Sequence, residues 1–260
     1  MIRVIMSGCC GHMGRVVNEI IDGQDGMEIV AGFDVYDSGD RSYPVFANPA
    51  DCDVEADVVI DFSSVKALDG LLRYCVGKQI PAVLCTTGYS QEQLDQITEA
   101  SGKVAILKSA NMSLGINLLQ ALLKEAAKVL APAGFDIEIV EKHHNRKLDA
   151  PSGTALALAD SINEAMDGAY EYTFDRSREK KSRDKSEIGI SAVRGGTIVG
   201  EHEILFAGLD EVIEFKHTAY SRSIFAKGAV QAAAFLAGKP AGYYGMNDVI
   251  MMPESKAGKC

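Results

Sequence analysis

Three glycines at fixed spacing constrain this chain most. The run Gly8-Cys9-Cys10-Gly11-His12-Met13-Gly14 lies between an apolar segment at residues 3–7 and a helical pattern at residues 16–21. Glycine is required where a backbone turns sharply and approaches a pyrophosphate closely, and the last glycine lets helix and strand pack tightly. Alone, such a motif is weak. A second strand-like run at residues 27–34 adds weight, because it ends on Asp34, twenty residues beyond Gly14. That is where a carboxylate for the cofactor's ribose belongs.

The following residues continue the alternation of strand and helix. Residues 57–61, 81–85 and 103–107 read as short buried strands, and residues 65–77 and 91–100 as helices. This order predicts an α/β fold with a Rossmann-type parallel sheet in the N-terminal half. Ligands of such folds sit beyond the C-terminal ends of the strands. The expected cofactor contacts are therefore Gly8, Cys9, Cys10, Gly11, His12 and Met13 in the turn, then Asp34, then Cys85, Thr86 and Thr87, and finally Ser109, Ala110, Asn111 and Met112. Asp34 can accept hydrogen bonds from both ribose hydroxyls and repels a 2′-phosphate, and Val35 offers no guanidinium to receive one. NADH is thus expected to serve at least as well as NADPH, with Arg41 the residue that could reverse this preference.

The second informative stretch is Glu141-Lys142-His143-His144-Asn145-Arg146-Lys147-Leu148-Asp149-Ala150-Pro151-Ser152-Gly153-Thr154-Ala155. Residues 135–141 alternate apolar and polar, so a strand should end where the histidines begin. Ser152 is a natural N-cap for a helix at residues 155–162, which would aim the Gly153 and Thr154 amides toward the histidines. The chain as a whole is acidic, with 26 basic against 36 acidic residues. A local gathering of cations in such a chain points to an anionic ligand rather than to nucleic acid.

With 260 residues and 47% hydrophobic content, the chain can bury two cores. The expected division is residues 1–112 plus 223–260 for the dinucleotide, and residues 113–222 for substrate binding and oligomerisation on an open mixed sheet. A helix starting near Ser113 is expected to bury Ile116, Leu119, Leu122, Leu123, Ala126, Val129 and Leu130. Strands are expected at residues 188–193, 197–206 and 212–219, and a returning helix at residues 224–237. The mixed-charge segment 175–187 reads equally as a lid or as a solvated connector. No apolar run suffices to cross a bilayer, and the immediate entry into a strand leaves no room for a secretory signal. The six cysteines are scattered, which suits free thiols in the cytoplasm. No metal is expected, because no cluster has ligand spacing in the sequence and His143 and His144 sit beside cations.

In several independent motifs the chain resembles the 4-hydroxy-tetrahydrodipicolinate reductase family of lysine and diaminopimelate biosynthesis. The E-x-H-H-x-x-K-x-D-x-P-S-G-T-A segment at residues 141–155 is unbroken. G-x-x-G-x-M-G stands at residues 8–14, T-T-G at 86–88, A-N-x-S-x-G-x-N at 110–117 and V-R-x-G-x-I-V-G-E-H at 193–202. The resemblance implies hydride transfer from NADH or NADPH to an unsaturated nitrogen ring bearing two carboxylates. It also implies His143 as acid/base residue, Lys147 as proton donor, His144, Gly153 and Thr154 as substrate ligands, and a homotetramer. Three positions depart from the family pattern. His12 stands where arginine is common, Cys85 replaces a glycine, and Asp34-Val35 replaces an acid–arginine pair. Two other readings are another two-domain dehydrogenase of amino-acid metabolism and a nucleotide-sensing regulator without activity. The first would need its own acid/base set, and the second is opposed by intact His143 and Lys147.

Overall fold

The computed structural model describes residues 1–251 apart from 38, 175, 178 and 179. Cys260 and part of the charged 175–187 segment therefore lie outside the described residues. The chain forms two compact units, Met1–Leu114 with Ser223–Cys260, and Gly115–Arg222.

The first unit is built on seven parallel strands: β1 (Ile2–Ser7), β2 (Met27–Phe33), β3 (Val45–Phe46), β4 (Val58–Asp61), β5 (Ala82–Leu84), β6 (Ala105–Lys108) and β12 (Gly242–Tyr244). Their spatial order is β12-β6-β5-β4-β1-β2-β3, all neighbours parallel. Alternating side chains give the sheet two buried faces. Val4, Met6, Val58 and Ile60 face one core, covered by α1 (His12–Asp22) and α6 (Ser223–Leu236). Ile5, Val59, Ala82 and Leu84 face the other, covered by α2 (Leu68–Lys78) and α3 (Gln91–Ser101). The strand order reverses between β1 and β4, and at such a point the loops at the strand ends part to leave a crevice.

The second unit has a five-stranded mixed sheet, in the order β11-β10-β7-β9-β8. Its strands are β7 (Asp136–His143), β8 (Glu171–Thr173), β9 (Glu187–Arg194), β10 (Gly200–Ala207) and β11 (Val212–Ala219). β7 pairs parallel to β9 and antiparallel to β10. One face is buried under α4 (Leu114–Leu130) and α5 (Gly153–Ala165), where Ile137, Ile139, Ile188, Ile204 and Phe206 meet Leu119, Leu123, Leu158 and Ile162. The last helix, α7 (Met246–Ile250), belongs to the first unit.

Several expectations need correction. β7 runs two residues past the expected end, so His143 is a strand residue paired with Arg194 of β9. Hydrogen bonding to both neighbours carries the strand on after its apolar alternation has stopped. The apolar stripe of α4 is narrower than expected. Ile116, Leu119, Leu123 and Ala127 are buried, whereas Leu122 is 47% and Val129 69% exposed. The helix beginning at Val65 is a single 3₁₀ turn before α2. Within the 175–187 segment, Arg183 donates to Asp136, Glu138 and the Ile137 carbonyl, and Arg176 pairs with Glu187, so described parts of it are tied to β7 and β9. No described helix is long and apolar enough to cross a membrane.

Candidate active site

In the first unit the glycine turn has the steric character its spacing implies. A Cβ on Gly14 would lie 2.2 Å from the Gly8 carbonyl oxygen, and one on Gly8 would lie 2.7 Å from that of Phe62. Gly8 also holds φ at +80°, a conformation that side chains disfavour. Gly11, the N-cap of α1, has no side chain to cap the first turn, and that turn holds no acid. The leading amides of α1 thus suit the phosphates of a dinucleotide.

A cavity of about 650 Å³ opens beside the turn, lined by Gly8, Gly11, Asp34, Ser63, Ser64 and Lys66 among others. A second, of about 420 Å³, shares Phe62, Ser63 and Ser64 and reaches Cys85, Thr86 and Thr87. Both lie along the strand ends at the β1/β4 switch point, where such folds bind dinucleotides. Asp34 lies just past β2. Its carboxylate accepts from the Cys10 amide at 2.9 Å and from the Tyr36 amide at 3.2 Å. Arg41 is turned onto the Cys9 carbonyl at 2.8 Å, with its side chain only 12% exposed.

The remaining expected contacts divide. Thr86 donates its hydroxyl to Asp61 at 2.8 Å, while Thr87 is exposed. Cys85 turns its thiol into the core, where burial, with the Asp61 charge adding to it, pushes the thiol well above its ordinary range. His12 is exposed and Met13 half-buried. Beyond β6, the Ser109 hydroxyl donates to the Asn111 carbonyl at 2.9 Å, and Met112 is buried against Gly228 of α6. Asp61 went unnoticed in the sequence. Its buried carboxylate accepts from Ser7 at 2.8 Å, Ser63 at 2.5 Å and Thr86, clamping the ends of three strands below the groove.

In the second unit, one face of β7 changes character along its length. Ile137 and Ile139 enter the core, and Glu141 and His143 continue the same face. Glu141 is fully buried. One of its oxygens lies 2.6 Å from His143 Nδ1 and 2.8 Å from Arg194 Nη1. The other accepts from Arg194 Nη2 at 2.6 Å and from the Ser152 amide at 2.9 Å. Burial would raise this carboxyl, but Arg194, His143 and the Ser152 amide together hold it below its ordinary value. It is therefore an anion that fixes the imidazole through Nδ1.

His202, paired across from Glu141 on β10, stacks edge-on to His143 with centroids 5.2 Å apart, and its Nε2 is 2.9 Å from the Ser152 hydroxyl. Burial, then the neighbouring His143, pushes His202 down to about 4. Ser152 caps α5 by accepting from the Ala155 amide at 3.1 Å. Glu141, Arg194 and His202 were not singled out from the sequence. The signal for Glu141 was present, since residues two apart in a strand share a face.

Around this core stand the cations. His144 is half-buried. Desolvation, then Arg146, Arg222, His143 and Lys147, lower its pKa, which favours the neutral imidazole. Lys147 Nζ pairs with Asp149 at 2.9 Å, and this contact, together with the Gly153 amide, holds the Asp149 carboxyl below its usual range. The Gly153 amide thus meets the chain's own Asp149 carboxylate.

A dinucleotide-type α/β unit in one chain with a unit bearing a carboxylate-fixed imidazole and a ring of cations defines a nicotinamide-dependent reductase. Comparison with known proteins makes this particular. The family models described as dihydrodipicolinate reductase, N-terminus and C-terminus, match residues 2–112 and 115–250. The chain belongs to the dihydrodipicolinate reductase family. It is 52% identical over 251 residues to the 4-hydroxy-tetrahydrodipicolinate reductase of Clostridium novyi, covering 96% of this chain and 98% of that one. It is 51% identical over 247 residues to that of Clostridium tetani, covering 95% of this chain and 96% of the other. Among solved structures, a dipicolinate-bound dihydrodipicolinate reductase from Paenisporosarcina sp. TG-14 superposes with a TM-score of 0.80 at 27% identity, over 95% of this chain and 99% of that one. A probable dehydrogenase from Thermotoga maritima shares the fold, with a TM-score of 0.61 at 13% identity over 96% and 92% of the two chains.

Proposed function

We propose that this chain reduces 4-hydroxy-tetrahydrodipicolinate to tetrahydrodipicolinate in lysine and diaminopimelate biosynthesis, with His143 as acid/base group and Lys147 as proton donor. Its relatives carry that activity by name over nearly their whole length. The observation that carries the assignment of roles is the Glu141 carboxylate, buried and bonded to His143 Nδ1 at 2.6 Å. A buried carboxylate bonded to Nδ1 sets the tautomer and direction of an imidazole that must present its other nitrogen to a ligand.

A bound nicotinamide supplies the hydride. The chain's own groups do the rest. Gly8, Gly11, Asp34, Cys85, Thr86 and Thr87 line the dinucleotide groove, and Cys9, Cys10, His12, Met13 and Ser109 to Met112 are read as its remaining contacts. His144, Gly153 and Thr154 receive the ring's carboxylates, assisted by the positive field of Arg146 and Arg222. Hydride addition to a conjugated imine leaves negative charge on the ring, and the His143 and Lys147 side chains supply the proton that quenches it. Asp149 holds Lys147 through its Nζ. A ring carboxylate competes with Asp149 for the same ammonium group and for the Gly153 amide.

Asp34 is read as the acceptor of the ribose hydroxyls, which makes NADH at least as good a cofactor as NADPH. Engagement of Arg41 with the Cys9 carbonyl supports this, because its guanidinium is already committed to the chain. A homotetramer in the cytoplasm, assembled through the five-stranded sheet, completes the reading. The sheet face away from α4 and α5 carries Val140, Val193, Leu205 and Val212 among the charges Lys142, Glu201, Glu203 and Lys216, and Val193 and Val212 are 44% and 53% exposed. The direct test is an absorbance assay with enzymatically generated substrate and each cofactor in turn. Turnover with NADH at least equal to NADPH is expected. No cofactor oxidation with either would overturn the activity, and strict NADPH dependence would overturn the reading of Asp34.

A further inference from the structure

The fold gathers three metal-binding donors whose spacing in the sequence gave no sign of it. The Cys9 and Cys10 sulfurs and an Asp34 carboxylate oxygen lie within 4.8 Å of one another. The two sulfurs are 3.9 Å apart. Tetrahedral zinc holds each thiolate at about 2.3 Å, which separates two such sulfurs by about 3.8 Å. The turn between β1 and α1 thus presents the pair already at the required span, far from the sulfur–sulfur bond length of about 2.05 Å in a disulfide.

The third donor is preset as well. Asp34 is fixed by the Cys10 and Tyr36 amides, and a carboxylate has roughly four acceptor positions, so ligation need not break those bonds. Two thiolates and a carboxylate carry three negative charges, a divalent ion leaves one, and the adjacent Arg41 guanidinium, shared with Asp40 at 3.7 Å, lessens it. Cys10 and Asp34 are half-buried and give the ion a way in, while Cys9 is wholly buried. Burial, then the neighbouring Cys10, raises the Cys9 thiol to about 12, so an ion bound here displaces protons. Sulfur donors favour zinc and similar soft ions over magnesium or calcium.

We propose that Cys9, Cys10 and Asp34 form a binding site for a soft divalent cation, and that an ion held there excludes the dinucleotide. The exclusion rests on the reading of Asp34 as the ribose acceptor, whereas the binding itself does not.

The test uses the full chain, with zinc titrated against a chromogenic zinc chelator in the presence and absence of NADH. One zinc per chain is expected, bound at least tenfold more weakly by Cys10→Ser and by Asp34→Asn. Cobalt(II) should give a thiolate charge-transfer band that Cys10→Ser diminishes. Zinc should inhibit competitively with NADH and not with the ring substrate. Zinc affinity unchanged in both variants would place the ion elsewhere and overturn the site. Zinc binding that needs Cys10 but is indifferent to NADH would keep the site, overturn the exclusion and refute Asp34 as the ribose acceptor.

Discussion

Replacing Glu141 by glutamine tests the acid/base arrangement most directly, because it changes charge without changing shape. The carboxylate is fully buried and faces four donors, two on each oxygen. A glutamine amide must set its NH₂ against one of those pairs. Turned one way it opposes Arg194 Nη2 and the Ser152 amide. Turned the other way it opposes Arg194 Nη1, and His143 can accept only by moving its proton to Nε2, the reverse of the tautomer that Glu141 imposes. Removing one charge of a buried pair costs about 3–5 kcal/mol. The Arg194 side chain keeps 19% exposure and can recover some hydration, which puts the expected loss near the lower end, about 3 kcal/mol. Misdirecting the imidazole should also lower kcat by about 10²–10⁴-fold, the range for losing a general acid or base. Denaturant unfolding and steady-state kinetics over pH measure the two effects. The KM for the dinucleotide should stay within about threefold, since its groove lies wholly in the first unit. Glu141→Gln with near-normal kcat and a stability loss under about 1 kcal/mol would refute the anchored-imidazole argument.

Three further outcomes are expected. Lys147→Ala should lower kcat by about 10²–10⁴-fold while the protein stays folded, and a near-normal rate would remove Lys147 from the proton path. Asp34→Ala should raise the KM for NADH by about 10–100-fold, the worth of hydrogen bonds to a charged group, and raise that for NADPH less; equal effects on both would deny it the ribose role. His202 is pushed from 6.5 to about 4, so between these values the unfolded chain binds the extra proton and the folded one does not. Stability from this group is therefore intact above pH 6.5 and lost as pH falls toward 4, by about 3 kcal/mol in all. Unfolding free energies of His202→Asn should lack that part of the acid slope, and identical slopes would show that His202 already carries its proton in the fold.

The sequence made the dinucleotide turn legible because its requirements are local. Gly8 and Gly14 are demanded by atoms within a few residues or on the adjoining strand, and Asp34 stands at a distance set by one helix and one strand. The Ser152 cap and the alternation along β7 were legible for the same reason. Some short elements were not. β3, β8 and β12 have two or three residues each and exist because a neighbouring strand offers an edge to pair with. The α4 stripe was overdrawn because Leu122 and Val129 lie at the margin of the helical face, where helical period alone does not say how far the covering layer extends.

What the sequence determined by itself was the alternation of the longer strands and helices, the glycine turn and the gathering of histidines and cations after β7. Tertiary structure decided how those groups are held. Glu141, Arg194 and His202 come from three strands whose register places them on one buried face. Asp61 ties strand ends together through Ser7 and Thr86, which are 54 and 25 residues away from it in the chain. Cys9 and Cys10 meet Asp34 only because β2 pairs alongside β1. Strand pairing and side-chain desolvation act between residues far apart in the chain, and no local pattern encodes that proximity.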